Sequence, residues 1–127
     1  MEIGRKCTVE WTVEEGMLAA AIGSGSVKVF GTPMMIAGME KAAVEAVQSE
    51  LEEGKTTVGT LVNVTHCAAT PLGMKVRFEA ELTDISAGGK LFSYKVAAYD
   101  ERGLIGEGTH QRALVDVVKF EAKTNAK

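Results

Sequence analysis

The run from Thr32 to Leu51 constrains the fold more than any other part of the chain. Thr32-Pro33 reads as a helix start. A hydroxyl at the cap position accepts from a backbone N–H of the first turn, and proline at the first helical position loses no needed donor. No further proline follows before Leu51, Gly38 is the one poor helix former, and Gly54 suits the stop. These signals predict a helix over residues 33–53.

At about 100° per residue, Ile36, Val44, Val47 and Leu51 form an apolar stripe within about 40° of one line, with Glu40 in its middle. Lys41, Glu45, Gln48, Ser49 and Glu52 lie opposite. A carboxylate on an apolar stripe must be paired, hydrogen-bonded or held neutral, so Glu40 is a candidate for acid–base or nucleophilic work. The alternative puts Glu40 at the edge of the stripe with its head in water.

Around this helix the chain reads as strands. Cys7, Val9, Trp11 and Val13 alternate with polar residues, and a short helical turn is expected over residues 17–21. Gly23-Ser24-Gly25-Ser26 is a loop. A long strand is expected over 56–68, with Val58, Val62, Val64 and His66 on its more apolar face and Cys67 pointing the other way. Residues 74–82 alternate cleanly, Ser86-Ala87-Gly88-Gly89 is a hairpin turn, and Phe92, Tyr94, Val96 and Ala98 share one face of the next strand. After the turn Asp100-Glu101-Arg102-Gly103, a last strand starts at Leu104 and is expected to run toward Lys123, leaving residues 124–127 as a solvated tail. Short turns favour antiparallel pairing. One strand, one helix and a run of strands make a single α+β domain over 1–127, with the sheet wrapped around the helix. Its open edges suggest pairing with a second copy.

Composition narrows the function. Of the 127 residues, 46% are hydrophobic, enough for a core. A net charge of −3 does not suit nucleic-acid binding. No apolar run is long enough for a membrane span, and the first residues lack a signal-peptide pattern. Cys7 and Cys67 form neither a CxxC pair nor a metal set, so free thiols, no metal and a cytoplasmic location are expected.

His66 on an apolar face reads either as a satisfied core histidine or as a base. Thr32 reads either as a plain cap or as a functional hydroxyl. Three motifs weigh toward function: Val29-Phe30-Gly31-Thr32 followed by Met39-Glu40, then Val64-Thr65-His66-Cys67-Ala68-Ala69-Thr70-Pro71, then Gly106-Glu107-Gly108-Thr109-His110-Gln111-Arg112-Ala113 followed by Lys119-Phe120. In this order and spacing the chain resembles the hot-dog-fold thioesterases, within them the fluoroacetyl-CoA thioesterase-like group, from about Val27 to Lys123. The resemblance implies a helix wrapped by an antiparallel sheet, dimers joined edge to edge, and active sites at the dimer interface. It implies catalytic roles for Thr32, Glu40 and His66 and an acyl-CoA substrate, with coenzyme A entering as part of that substrate and no separate cofactor. Gly31, Pro33, Met34, Ala69 and Arg112 are the expected substrate contacts. The chain departs from the group in one respect. No aromatic residue lies between Trp11 and Phe30, where fluoroacetyl-selective members carry an aromatic lid. The resemblance therefore implies thioester hydrolysis of a short- or medium-chain acyl group and not the fluoroacetyl substrate.

The chemistry needs a nucleophile, a proton acceptor and an oxyanion stabiliser. Free N–H groups at the start of the helix are expected to hold the oxyanion. Arg112 suits a CoA phosphate, or equally an acidic partner such as Glu107 or Asp116. A non-catalytic acyl-CoA-binding dimer and a hot-dog hydratase or dehydratase remain as alternatives.

Overall fold

The longest helix lies against one face of the sheet, and its smallest side chains are what let the sheet close on it. The computed structural model describes Met1–Lys127. Strand β1 (Lys6–Thr12) leads through a 3-10 turn (Glu15–Met17) and a single helical turn α1 (Ala19–Ile22) into helix α2 (Thr32–Val47), which ends in a 3-10 turn (Gln48–Glu50). Four strands follow, β2 (Lys55–His66), β3 (Lys75–Ser86), β4 (Leu91–Asp100) and β5 (Gly103–Asp116), and then helix α3 (Val117–Asn125). All pairings are antiparallel in the order β1-β3-β4-β5-β2, so β1 and β2 are the edges.

The face of α2 that is buried shares only Val47 with the expected stripe. It is Met35, Gly38, Met39, Ala42, Ala43, Ala46 and Val47. Ile36 and Val44 flank it, and Leu51 lies beyond the helix end. Hydropathy ranks Ile and Val above Gly and Ala, but the sheet fills the core with bulk of its own. A Cβ on Gly38 would overlap the ring of Phe78. Small helix residues thus admit large strand residues, among them Phe78, Leu82, Phe92 and Tyr94. Glu40, one position past buried Met39, stands at the flank of this face, and the edge reading was the right one.

Two further expectations are corrected. The parity of β2 changes midway, because the register slips between Gly59 and Leu61. The extra residue is a β-bulge. Thr57 is therefore buried at 4% exposure, while Val58 leaves the face it was expected to share with Val64 and His66. A glycine inside a strand pattern was the available signal. The last strand stops at Asp116, whose carboxylate caps α3 by accepting from the Lys119 N–H at 3.0 Å. That cap turns the expected strand end and half of the expected tail into helix.

Candidate active site

The first helical turn and the end of β2 meet at one point. Thr32 Oγ1 and His66 Nδ1 lie 2.7 Å apart. Thr32 is not the cap it was expected to be. Gly31 holds the cap position, and Thr32 is the first helical residue with its hydroxyl free of the backbone. Since no backbone group claims it, the hydroxyl can donate to the imidazole, which is the arrangement of an activated nucleophile. Burial lowers the His66 pKa, the Ala68 backbone pulling the other way, so the ring is a neutral base at pH 7. Its Nε2 is buried and has no partner.

The pair opens into a cavity of about 310 Å³. Its far side is the segment before the helix, with Ala19, Ser24, Gly25, Val27 and Val29. Its near side is Phe30 with Thr32, and His66 followed by Cys67, Ala68 and Ala69. Main-chain bonds hold the far segment in place: Gly31 N–H donates to Met17 O at 2.9 Å and Phe30 N–H to Thr70 O at 2.9 Å. Thr70 is in turn fixed by donating to Asp100 Oδ2 at 2.7 Å.

The other expected contacts are distributed differently. Ala69 lines the cavity, but Gly31, Pro33 and Met34 do not. Gly31 is walled in by Ile22, Met17 O and Ser24, Met34 packs against the core, and Pro33 is exposed. The expected set of free N–H groups shrinks as well. Met34 and Met35 N–H both donate to Gly31 O, Gly31 N–H is taken by Met17, and proline has none. The Thr32 N–H is the donor the first turn leaves for an oxyanion. Cys67 was placed away from His66 by strand alternation, but β2 ends at His66, and beyond it Cys67 lines the same cavity, its Sγ 3.9 Å from the Leu104 carbonyl. Alkylation of Cys67 with iodoacetamide is therefore expected to abolish turnover by filling the cavity, and Cys67→Ala to resist it. Loss of activity in both proteins would place the sensitive thiol elsewhere, at Cys7.

Glu40 does not join this pair within the chain. It lies eight residues along α2 from Thr32, about 12 Å by helical rise. Its Oε2 accepts from Arg112 Nη1 at 3.0 Å. Arg112 also donates through Nε to Thr57 Oγ1 at 2.8 Å and through Nη2 to Thr57 O at 2.9 Å. The guanidinium is 5% exposed as a residue and already spent, so the expected phosphate contact is replaced by an acidic partner, and that partner is Glu40 rather than Glu107 or Asp116. His110, on the same face of β5, was not expected to belong to the site, yet its ring touches Arg112.

Gly59, at the β2 bulge, lies against this carboxylate. An added Cβ would land on Glu40 Oε2 and sit 3.3 Å from Arg112 Nη1. The overlapped atom ends a flexible side chain, so it can swing aside. Gly59→Ala is expected to lower the melting temperature by roughly a few degrees, because the displaced carboxylate leaves nearly enclosed Arg112, and to lower kcat by about tenfold or more, since small misplacements at a reaction site are costly. A full-speed Gly59→Ala enzyme would show that the position of Glu40 is unimportant.

A family model described as fluoroacetyl-CoA-specific thioesterase (FlK) matches residues 13–118. The chain is 43% identical over 100 residues to the fluoroacetyl-CoA thioesterase of Streptantibioticus cattleyicolor, covering 79% of this chain and 70% of that one. A solved structure of the fluoroacetyl-CoA thioesterase FlK superposes with a TM-score of 0.93 at 35% identity, covering 100% of this chain and 97% of that one. A thioesterase superfamily member from Thermus thermophilus superposes at 0.88 with 30% identity, over 98% and 90% of the two chains. The fold is that of a hot-dog thioesterase. Within that class, the chain belongs to the fluoroacetyl-CoA-specific thioesterase (FlK) family.

Proposed function

We propose that the chain hydrolyses a short- or medium-chain acyl-CoA to the free acid and coenzyme A, working as a homodimer. It is an acyl-CoA thioester hydrolase. The observation that carries this is the 2.7 Å contact between Thr32 Oγ1 and His66 Nδ1 at the mouth of a small cavity. The acyl group enters the cavity and the thioester carbonyl stops at the pair. His66 takes the proton of the attacking oxygen, either the Thr32 hydroxyl or a water held on it. It then returns that proton to the departing thiolate of coenzyme A; where Thr32 is the attacking oxygen, the acyl group is left as an ester on Oγ1, and a water deprotonated by His66 then cleaves that ester to the free acid and restores the hydroxyl. A solved variant of the related fluoroacetyl-CoA thioesterase holds fluoroacetate and CoA. Here the cavity is at the small end of the range for ligand sites, about 300–1,000 Å³, which favours a short acyl group. Its far wall carries no aromatic ring over the acyl end, so fluorinated selectivity is not part of the proposal.

The exposed edge strand β2 supports the dimer. It is a long edge strand with Leu61 and Val62 exposed at 49% and 37%, which invites pairing. If β2 pairs antiparallel with its own copy about a two-fold axis near its exposed middle, the His66 end meets the Gly59 region of the partner subunit. That is where the partner's Glu40 stands. Each site then combines Thr32 and His66 of one protomer with the partner's Glu40, which orients the water or stabilises the imidazolium. No helix is long and apolar enough to cross a membrane. Free Cys7 and Cys67 fit a reducing cytoplasm.

The test is hydrolysis of acyl-CoAs of increasing chain length, followed by loss of thioester absorbance, beside sedimentation of the protein. One short acyl class hydrolysed well by a dimer is expected. A folded dimer that binds acyl-CoA but hydrolyses none would overturn the hydrolase reading in favour of a binding module.

A further inference from the structure

His110 faces a set of groups whose hydrogen-bonding capacities leave it no choice of tautomer. Its Nδ1 lies 2.7 Å from the Leu61 carbonyl, which can only accept. Its Nε2 lies 3.2 Å from Arg112 Nη1, which can only donate. So the proton is on Nδ1, the lone pair is on Nε2, and the ring is neutral. The ring thereby ties two things together. One is the Leu61 carbonyl beside the β2 bulge, which the broken register turns toward the sheet's inner face. The other is Arg112, whose Nη1 places one hydrogen on Nε2 and the other on Glu40 Oε2. With Nε and Nη2 both held by Thr57, the guanidinium has a single position, and so has the carboxylate it grips.

We propose that His110 is a positioning residue for catalysis: in its neutral Nδ1–H form it fixes Arg112, and through Arg112 the Glu40 carboxylate, relative to the β2 bulge. The inference rests on the reading that Glu40 serves hydrolysis. Its consequence is a second proton-sensitive step beside His66. A proton on Nε2 would set N–H against N–H at 3.2 Å and a cation beside a cation. The Arg112 bond would break and the Glu40 carboxylate would lose its register. The ionisable groups around the ring are Glu40 from α2, Arg112 from β5 and Tyr94 from β4, whose ring centroid is 5.9 Å away. The facing stretch of β2 contributes Thr57, Gly59 and Leu61 and no ionisable group. Burial disfavours the charged ring, with Arg112 adding to that and Leu61 and Glu40 opposing it. Among the ionisable neighbours only Glu40 favours the cation, and Glu40 is already engaged by Arg112.

Three variants separate the two halves of the link. His110→Gln supplies an acceptor for Arg112, His110→Asn a donor for Leu61, and His110→Leu neither. In wild type, log kcat is expected to fall toward acid pH with a slope of about two, because His66 and His110 must both be neutral. In His110→Gln the slope drops to about one, and kcat at neutral pH falls least among the three variants. In His110→Leu and His110→Asn kcat falls about tenfold or more with KM little changed, since the loss is in positioning. A merely structural role would not move the slope. A wild-type slope of about one, or equal kcat in all three variants, overturns the proposal. Ring-nitrogen NMR of His110 reads the link without turnover. A proton found on Nε2 overturns it even in a fully active enzyme. A proton on Nδ1 in a protein that hydrolyses no acyl-CoA would instead sink the hydrolase reading and leave the hydrogen-bonded link standing.

Discussion

Replacing His66 with alanine is expected to lower kcat by about two to four orders of magnitude, the range for loss of a positioned base. The reason is local. The imidazole is the one group within hydrogen-bond reach of the Thr32 hydroxyl on the cavity side. Alanine leaves the hydroxyl without an acceptor for its proton and the departing thiolate without a donor. The ring is half-buried and its Nε2 has no partner, so its removal is not expected to cost stability. The melting temperature should hold while turnover collapses. The pH profile of the wild type gives the same answer from another side. The neutral ring is the working form, and burial lowers its pKa. With burial as the dominant influence, the acid limb is expected to be centred below the ordinary histidine value of about 6.5. A limb centred above it would mean that the partner's Glu40 holds the ring charged, the stabilising role, rather than orienting the water. A His66→Ala enzyme at wild-type speed would remove the Thr32–His66 pair from the mechanism.

Glu40→Gln is expected to lower kcat by about a hundredfold to a thousandfold, as loss of one preorganised charge in an active site does. This variant tests charge more than shape. The amide oxygen can still accept from Arg112 Nη1, so the hydrogen bond of 3.0 Å can survive in weaker form. What disappears is the negative charge, both for the reaction and for Arg112. Arg112 is nearly enclosed, with its side chain 7% exposed, while that of Glu40 is 39% exposed. Breaking a fully buried pair costs about 3–5 kcal/mol. With one partner half in water and the hydrogen bond retained, about 1–2 kcal/mol is the expected loss here. Chemical denaturation would register it as a lower midpoint. A variant that loses that stability but keeps full activity would reduce Glu40 to a structural partner of Arg112.

Much of this was legible from residues alone, and where it was not the reasons are physical. The start of α2, the clean alternation of β3 and β4 and the glycine turns depend on local sterics and period, so they can be read directly. The phase of α2 could not, because its buried face is made of Gly38, Ala42, Ala43 and Ala46, small residues selected by the rings opposite them. Thr32 and His66 could be nominated, but their contact depends on where β2 ends. The roles of Arg112 and His110 were hidden by the bulge at Gly59–Leu61, which sets which β2 residues face them. Alternation places both on one face of β5, but it cannot show that Thr57 and the Leu61 carbonyl occupy the same space. Cys67 shows the converse error, where strand alternation was extended one residue past the strand.

The central claim is that Thr32 and His66 work with the Glu40 of another copy of the chain. Mixing denatured His66→Ala and Glu40→Gln proteins in equal amounts and refolding them tests it most directly. Each parent should be nearly inactive. Random pairing makes half of the dimers mixed, and each mixed dimer has one site with an intact pair and an intact partner carboxylate, so about a quarter of wild-type activity should return. A mixture no more active than its parents, with mixed dimers confirmed by mass, would contradict a site shared between two chains.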